Sequence, residues 1–182
     1  MRDDGQPYAW VRAIDRVTDF FGELAKWALL AAVVISGGNA AVRYLVGYSS
    51  NAWLEVQWYL FAAGVMFGAA QVLRLNEHVR VDVFYGGWNA RRQALLDLFG
   101  LVFFLLPFVA LVVVLSWPLL SQWFAGGETS PNAGGLIRWP VMLTLPLGFA
   151  LLVLQGLAEI CKRVLWLRGR LRMDMHYQKP LQ

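Results

Sequence analysis

Three features of the sequence predict an all-α integral membrane protein, a four-helix bundle with both chain ends on one side. These are four charge-free apolar stretches, a one-sided distribution of Lys and Arg, and tryptophans gathered at the borders of the stretches. The stretches cover residues 27–42, 58–73, 98–115 and 141–158. With their uncharged or singly charged flanks each is long enough, as a helix, for about 30 Å of hydrocarbon. The spans are therefore placed at about residues 24–45, 53–73, 95–118 and 140–162 of a single membrane domain, 1–182. Helix is the economical conformation because lipid offers the backbone no partners, and four segments cannot close a barrel.

The Lys and Arg residues give the orientation. Arg2, Arg12, Arg16 and Lys26 precede the first span, Arg74, Arg80, Arg91 and Arg92 lie between the second and third, and Lys162, Arg163, Arg168, Arg170, Arg172 and Lys179 end the chain. The other two connections hold only Arg43 and Arg138, an asymmetry of 14 to 2. Cytoplasmic connections carry the cationic excess, so both termini are expected in the cytoplasm. Trp27, Trp88 and Trp166 fall at that side's borders, and Trp53, Trp58, Trp117, Trp123 and Trp139 toward the other. An amphipathic indole prefers the headgroup level.

Composition agrees. Of 182 residues, 58% are hydrophobic and 15% charged, where soluble domains have about a quarter charged. The spans leave little chain for a catalytic domain, and no enzyme is expected. The one cysteine, Cys161, excludes an intrachain disulfide, a C-x-x-C motif and a cysteine-rich metal site. More than twenty mixed-charge residues before the first apolar run fit a signal peptide poorly, so that run reads as a retained anchor.

Before the first span, Trp10, Ile14, Val17, Phe21 and Leu24 recur at helical spacing, with Arg12, Asp15, Arg16, Asp19 and Glu23 largely on the other faces. Residues 8–25 are expected to form an amphipathic helix in the cytoplasmic interface, the alternative being a solvated extension of the first span. Residues 126–135, rich in Gly, Ser, Pro and Asn, predict an irregular outer loop. Pro140 then suits the first turn of the last helix, while Pro107 and Pro146 predict kinks inside spans three and four. Residues 163–182 read as a basic cytoplasmic tail, where cations meet an anionic leaflet.

The charge-free spans carry a functional implication. Proteins that move charged solutes or protons keep ionisable groups inside the membrane. Here Glu55, Asp97 and Glu159 stand at span ends, and Asn39, Gln71, Gln122 and Gln155 are the nearest polar substitutes, read as hydrogen bonds between helices. His78 lies in a connection and His176 in the tail, so neither suits an intramembrane haem. The densest polar patch is Asn76-Glu77-His78-Val79-Arg80-Val81-Asp82-Val83. If extended, it places His78, Arg80 and Asp82 on one face and the valines on the other. It reads as a subunit-docking element in preference to a juxtamembrane turn with Arg80 near lipid phosphate or a metal site, which would need more ligands than Glu77, His78 and Asp82. Gly64 and Gly68 form a G-x-x-x-G suited to close helix packing, within the bundle or against a partner.

The chain resembles the small membrane subunit, the DctQ-like small permease component, of tripartite ATP-independent periplasmic (TRAP) transporters. The resemblance rests on Asn51-Ala52-Trp53-Leu54-Glu55-Val56-Gln57-Trp58-Tyr59-Leu60-Phe61, on Asn76-Glu77-His78-Val79-Arg80-Val81-Asp82-Val83-Phe84, on Gly127-Glu128-Thr129-Ser130, on Gly134-Gly135-Leu136-Ile137-Arg138-Trp139-Pro140 and on Pro146-Leu147-Gly148-Phe149. It covers about residues 15–165. Where many members have two adjacent acids entering span two, this chain has Glu55, with Gln57 nearby. The resemblance implies an accessory scaffold in the bacterial inner membrane, partnered by a large multi-span permease and an extracytoplasmic solute-binding protein. It further implies import of an organic acid driven by sodium, the ion being carried by the large subunit, with no cofactor bound here. Trp53, Glu55, Trp58, Gly64, Gly68, Asn76, His78, Arg80 and Asp82 are the candidate interface and motif residues. Two other classes remain in view: a self-sufficient proton-coupled four-helix exporter, and the membrane anchor of a redox complex.

Overall fold

The computed structural model describes residues 8–78 and 87–171. Four long helices account for most of them: α1 (Ala9–Val46), α2 (Asn51–Leu75), α3 (Ala90–Gly126) and α4 (Trp139–Leu167). All four are long and apolar enough to cross a membrane. The start of α1, the end of α2, the start of α3 and the end of α4 gather at one end, here called the basic end.

Each helix stops where its sequence offers a stop. Asn89 caps α3, its side-chain oxygen accepting the Arg92 amide at 3.0 Å and so relieving one of the unpaired first-turn donors. At the far end Gly127 takes φ 57°, and the amides of Gly127 and Glu128 donate back to Phe124 and Trp123, a closure that favours glycine. Asn76 ends α2 in the same left-handed conformation, φ 62°, which asparagine tolerates better than most residues.

The two expected proline kinks resolve differently. Residues Leu101–Leu105 of α3 wind as a π-helix just before Pro107. Proline has no N–H and crowds the carbonyl four residues back; a wider local turn accommodates both defects. Pro146 is buried within α4.

Packing follows the order α1, α2, α4, α3. α2 lies along α1 and α4, α4 also carries α3, and α2 and α3 barely meet. The core runs through Ala25, Phe67, Leu73, Leu101, Val109 and Leu152. Small residues set its close approaches. A Cβ on Gly64 would lie 2.6 Å from Leu29 Cγ, and one on Gly148 would lie 2.7 Å from the Met66 carbonyl oxygen, so α2 meets α1 and α4 nearly backbone to backbone. The partner of Gly64 is therefore α1 of this chain. Gly68 faces Ala25 at an ordinary 3.7 Å.

α1 departs from the expected layout. Its 38 residues form one unbroken helix, about 57 Å long at the standard rise, so the amphipathic segment and the first span are continuous. The face that packs is also rotated from the apolar stripe. Val11, Thr18, Gly22, Ala25, Ala28 and Ala32 are buried, whereas Trp10, Val17 and Leu24 are exposed and Phe21 and Ile14 half-buried. The helix turns small and polar residues inward and bulky apolar ones outward, the arrangement suited to a lipid surround. The last charged helix ends also shift: Arg163, assigned to the tail, lies inside α4 and is buried.

Candidate functional site

Two polar clusters occupy opposite ends of the helix layer. The first, at the basic end, joins all four helices. Lys162 Nζ donates to Asp15 Oδ1 and to Glu159 Oε1, both at 2.7 Å. Arg163 donates through Nη1 to Glu159 Oε2 at 2.5 Å, through Nη2 to Asp97 Oδ2 at 3.2 Å and to Asn76 Oδ1 at 3.4 Å. Arg74 completes the set with ion pairs to Asp15 and Asp19. Gln155, fully buried, accepts from the Thr18 hydroxyl at 2.8 Å and donates to Asp15 and Glu159 at 3.0 Å. Four carboxylates meet three cations here.

Helical spacing explains why α4 can do this. Gln155, Glu159, Lys162 and Arg163 recur at intervals of four, three and one, so all four side chains share a face toward α1, α2 and α3. Removing such charges from water costs several kcal/mol each, and only dense mutual pairing offsets that cost. The cluster is built accordingly, with the Glu159, Lys162 and Arg163 side chains 4–9% exposed.

The second cluster, at the opposite end, is centred on Glu55. Its carboxylate is buried at the start of α2 and accepts from Asn132 Nδ2 at 2.9 Å and from the Leu136 amide at 2.7 Å. The α3–α4 loop is otherwise tied down by Asn51 Nδ2 to the Ala133 carbonyl, Tyr59 Oη to the Ile137 carbonyl and an antiparallel bridge between Thr129 and Ile137. Arg138 pairs with Glu128 at 3.0 Å and lies 4.4 Å over the Trp123 ring. The predicted irregular loop is thus closed and ordered, and Glu55 is what its amides converge on.

The candidate residues scatter over these features. Glu55 and Asn76 enter the two clusters, and Gly64 enters the α1–α2 contact. Trp53 and Trp58 are exposed on α2, and His78 is exposed just past its end. Arg80 and Asp82 lie outside the described residues. Gln155 makes the interhelical hydrogen bonds expected of it. Sequence reasoning missed Asp15, Lys162 and Arg163 as buried partners. The available signal was the i, i+3 and i, i+4 spacing of Glu159, Lys162 and Arg163 on one helix.

Among the described residues no group of three or more His, Cys, Asp or Glu side chains could hold a metal ion. What the two clusters can do chemically is hold: each ionisable group is engaged in pairing helices or anchoring a loop.

Four spanning helices, tied at one end by ion pairs and at the other by a carboxylate-anchored loop, define a multi-pass integral membrane protein. Residues 31–165 match the family model of the DctQ component of tripartite ATP-independent periplasmic transporters, and the chain belongs to that family. It is a small membrane component of such a transporter, and the family works with a large permease and a solute-binding protein. No curated protein and no solved structure gives a significant match.

Proposed function

We propose that this chain is the scaffold subunit of a sodium-coupled, solute-binding-protein-dependent importer of an organic acid across the bacterial inner membrane, and that solute and sodium pass through the large permease. Family membership supports the setting. The observation that carries the scaffold role is the use of charge: the buried charged side chains, Glu55, Glu159, Lys162 and Arg163, sit toward helix ends and are engaged in ties within the chain. A conduit for a carboxylate or for protons needs polar groups at depth; this chain spends its charge on rigidity.

In this reading the basic end faces the cytoplasm. The exposed Trp10, Val17, Phe20, Leu24 and Trp27 of α1, bordered by Arg12 and Arg16, meet the inner leaflet or the permease. The segment from Asn76 to Phe84, including His78, Arg80 and Asp82, serves as a docking element for the large subunit.

Reconstitution tests the proposal. Proteoliposomes containing the permease and this chain, supplied with the solute-binding protein and a sodium gradient, are expected to accumulate solute; those lacking this chain are not, and the chain is expected to co-elute with the permease in mild detergent. Solute uptake by this chain alone would overturn the scaffold role and revive the exporter reading.

A further inference from the structure

α2 and α3 flank a groove of about 590 Å³, floored by α4 and lined by Leu73, Leu101, Phe104, Phe149 and Leu152, with Asp97 and Arg163 at its basic mouth. Its two walls rest on α4 rather than on each other. Apolar side chains facing lipid and apolar side chains facing one another differ little in free energy, since lipid tails are as apolar as leucine. Apolar contact alone therefore gives the walls little reason to hold a fixed separation.

Arg163 spans that mouth. Its guanidinium reaches Asp97 on α3 with Nε at 3.3 Å and Nη2 at 3.2 Å, the Asn76 side chain at the end of α2 with Nη2 at 3.4 Å, and Glu159 on its own helix with Nη1 at 2.5 Å. A planar fork spreads five N–H donors over a wider span than the three of a compact ammonium, and here it reaches three helices. The side chain is 4% exposed and Asp97 is 11% exposed, so water competes weakly for these bonds.

We propose that Arg163 is a strut that fixes the separation of α2 and α3 at the basic end and thereby keeps the groove from widening. Lys162, its neighbour in the chain, ties α4 to α1 through Asp15 and does not bridge the groove. This role belongs to the chain's own geometry, whichever solute the transporter carries and whether or not the chain is a scaffold.

Distance measurement between spin labels on the full chain in lipid nanodiscs tests it. Leu75→Cys and Leu95→Cys, both half-exposed and one on each flanking helix, are introduced with Cys161→Ala. The parent is expected to give a single narrow distance distribution. Asp97→Ala leaves the Arg163–Glu159 pair in place, and Arg163→Lys keeps the charge while losing the fork; both are expected to broaden the distribution and add a longer component. Lys162→Gln is expected to leave it unchanged. An unchanged distribution in Asp97→Ala and Arg163→Lys, or equal broadening in Lys162→Gln, would overturn the strut.

Discussion

Glu55 shows how a single carboxylate can organise a loop. Its two oxygens take a side-chain and a main-chain donor from residues 77 and 81 positions further along the chain. Glu55→Ala strands the half-buried Leu136 amide, while water can replace the contact of the exposed Asn132; leaving a buried donor unsatisfied costs about 1–3 kcal/mol, and the lower end applies here. The expected outcome is lower thermal stability in detergent, together with faster hydrogen exchange at the Leu136 amide; unchanged exchange would show that the loop holds without its anchor. At the basic end Lys162→Met leaves Asp15 and Glu159 facing each other without the ammonium between them. Breaking a buried pair by removing one partner costs about 3–5 kcal/mol. Glu159→Gln added to that variant is expected to recover part of the loss in a thermal unfolding assay, because it removes one of the two opposed charges.

At the scale of elements, helix contacts in this protein are set by missing side chains. Gly148→Ala is expected to push α4 from α2, since its Cβ would meet backbone atoms of Met66 at 2.7–2.9 Å and backbone cannot rotate away. Overpacking of this kind costs about 1–3 kcal/mol. Gly68→Ala, with 3.7 Å to Ala25 Cβ, and Gly37→Ala, with open space around it, are expected to unfold within about 0.5 kcal/mol of the parent. A thermal unfolding series on the three variants in detergent checks the ranking. The G-x-x-x-G motif is thus unequal: a Cβ at Gly64 would crowd the Leu29 side chain, while Gly68 has room to spare. The motif itself was legible in the sequence, but its inequality was not, because it depends on how the α1 side chains pack across it.

For the whole molecule, the charge asymmetry predicts which side each connection occupies. In the Cys161→Ala background, Ala133→Cys at the exposed loop is expected to react with a membrane-impermeant maleimide in intact cells, and Gly87→Cys only after permeabilisation. The reverse pattern would invert the orientation. The helix layer itself was only partly foreseen. Span number, the loop over residues 126–135 and the proline positions in α3 and α4 all follow from local composition. The unbroken α1, the groove between α2 and α3 and the closure of the loop onto Glu55 do not.

Sequence by itself determined that four helices cross a membrane, because a backbone in lipid must satisfy its own hydrogen bonds segment by segment and charge must wait at the borders. The same residues also determined the family. Only the tertiary structure decided which face of each helix turns inward. In water a hydrophobic stripe marks the core, so periodicity reveals it. In lipid the outward faces are as apolar as the inward ones, and the interior is marked instead by small residues and paired charge. That is why Asp15, Lys162 and Arg163, solvated cations and anions by their position in the chain, became the buried tie between four helices.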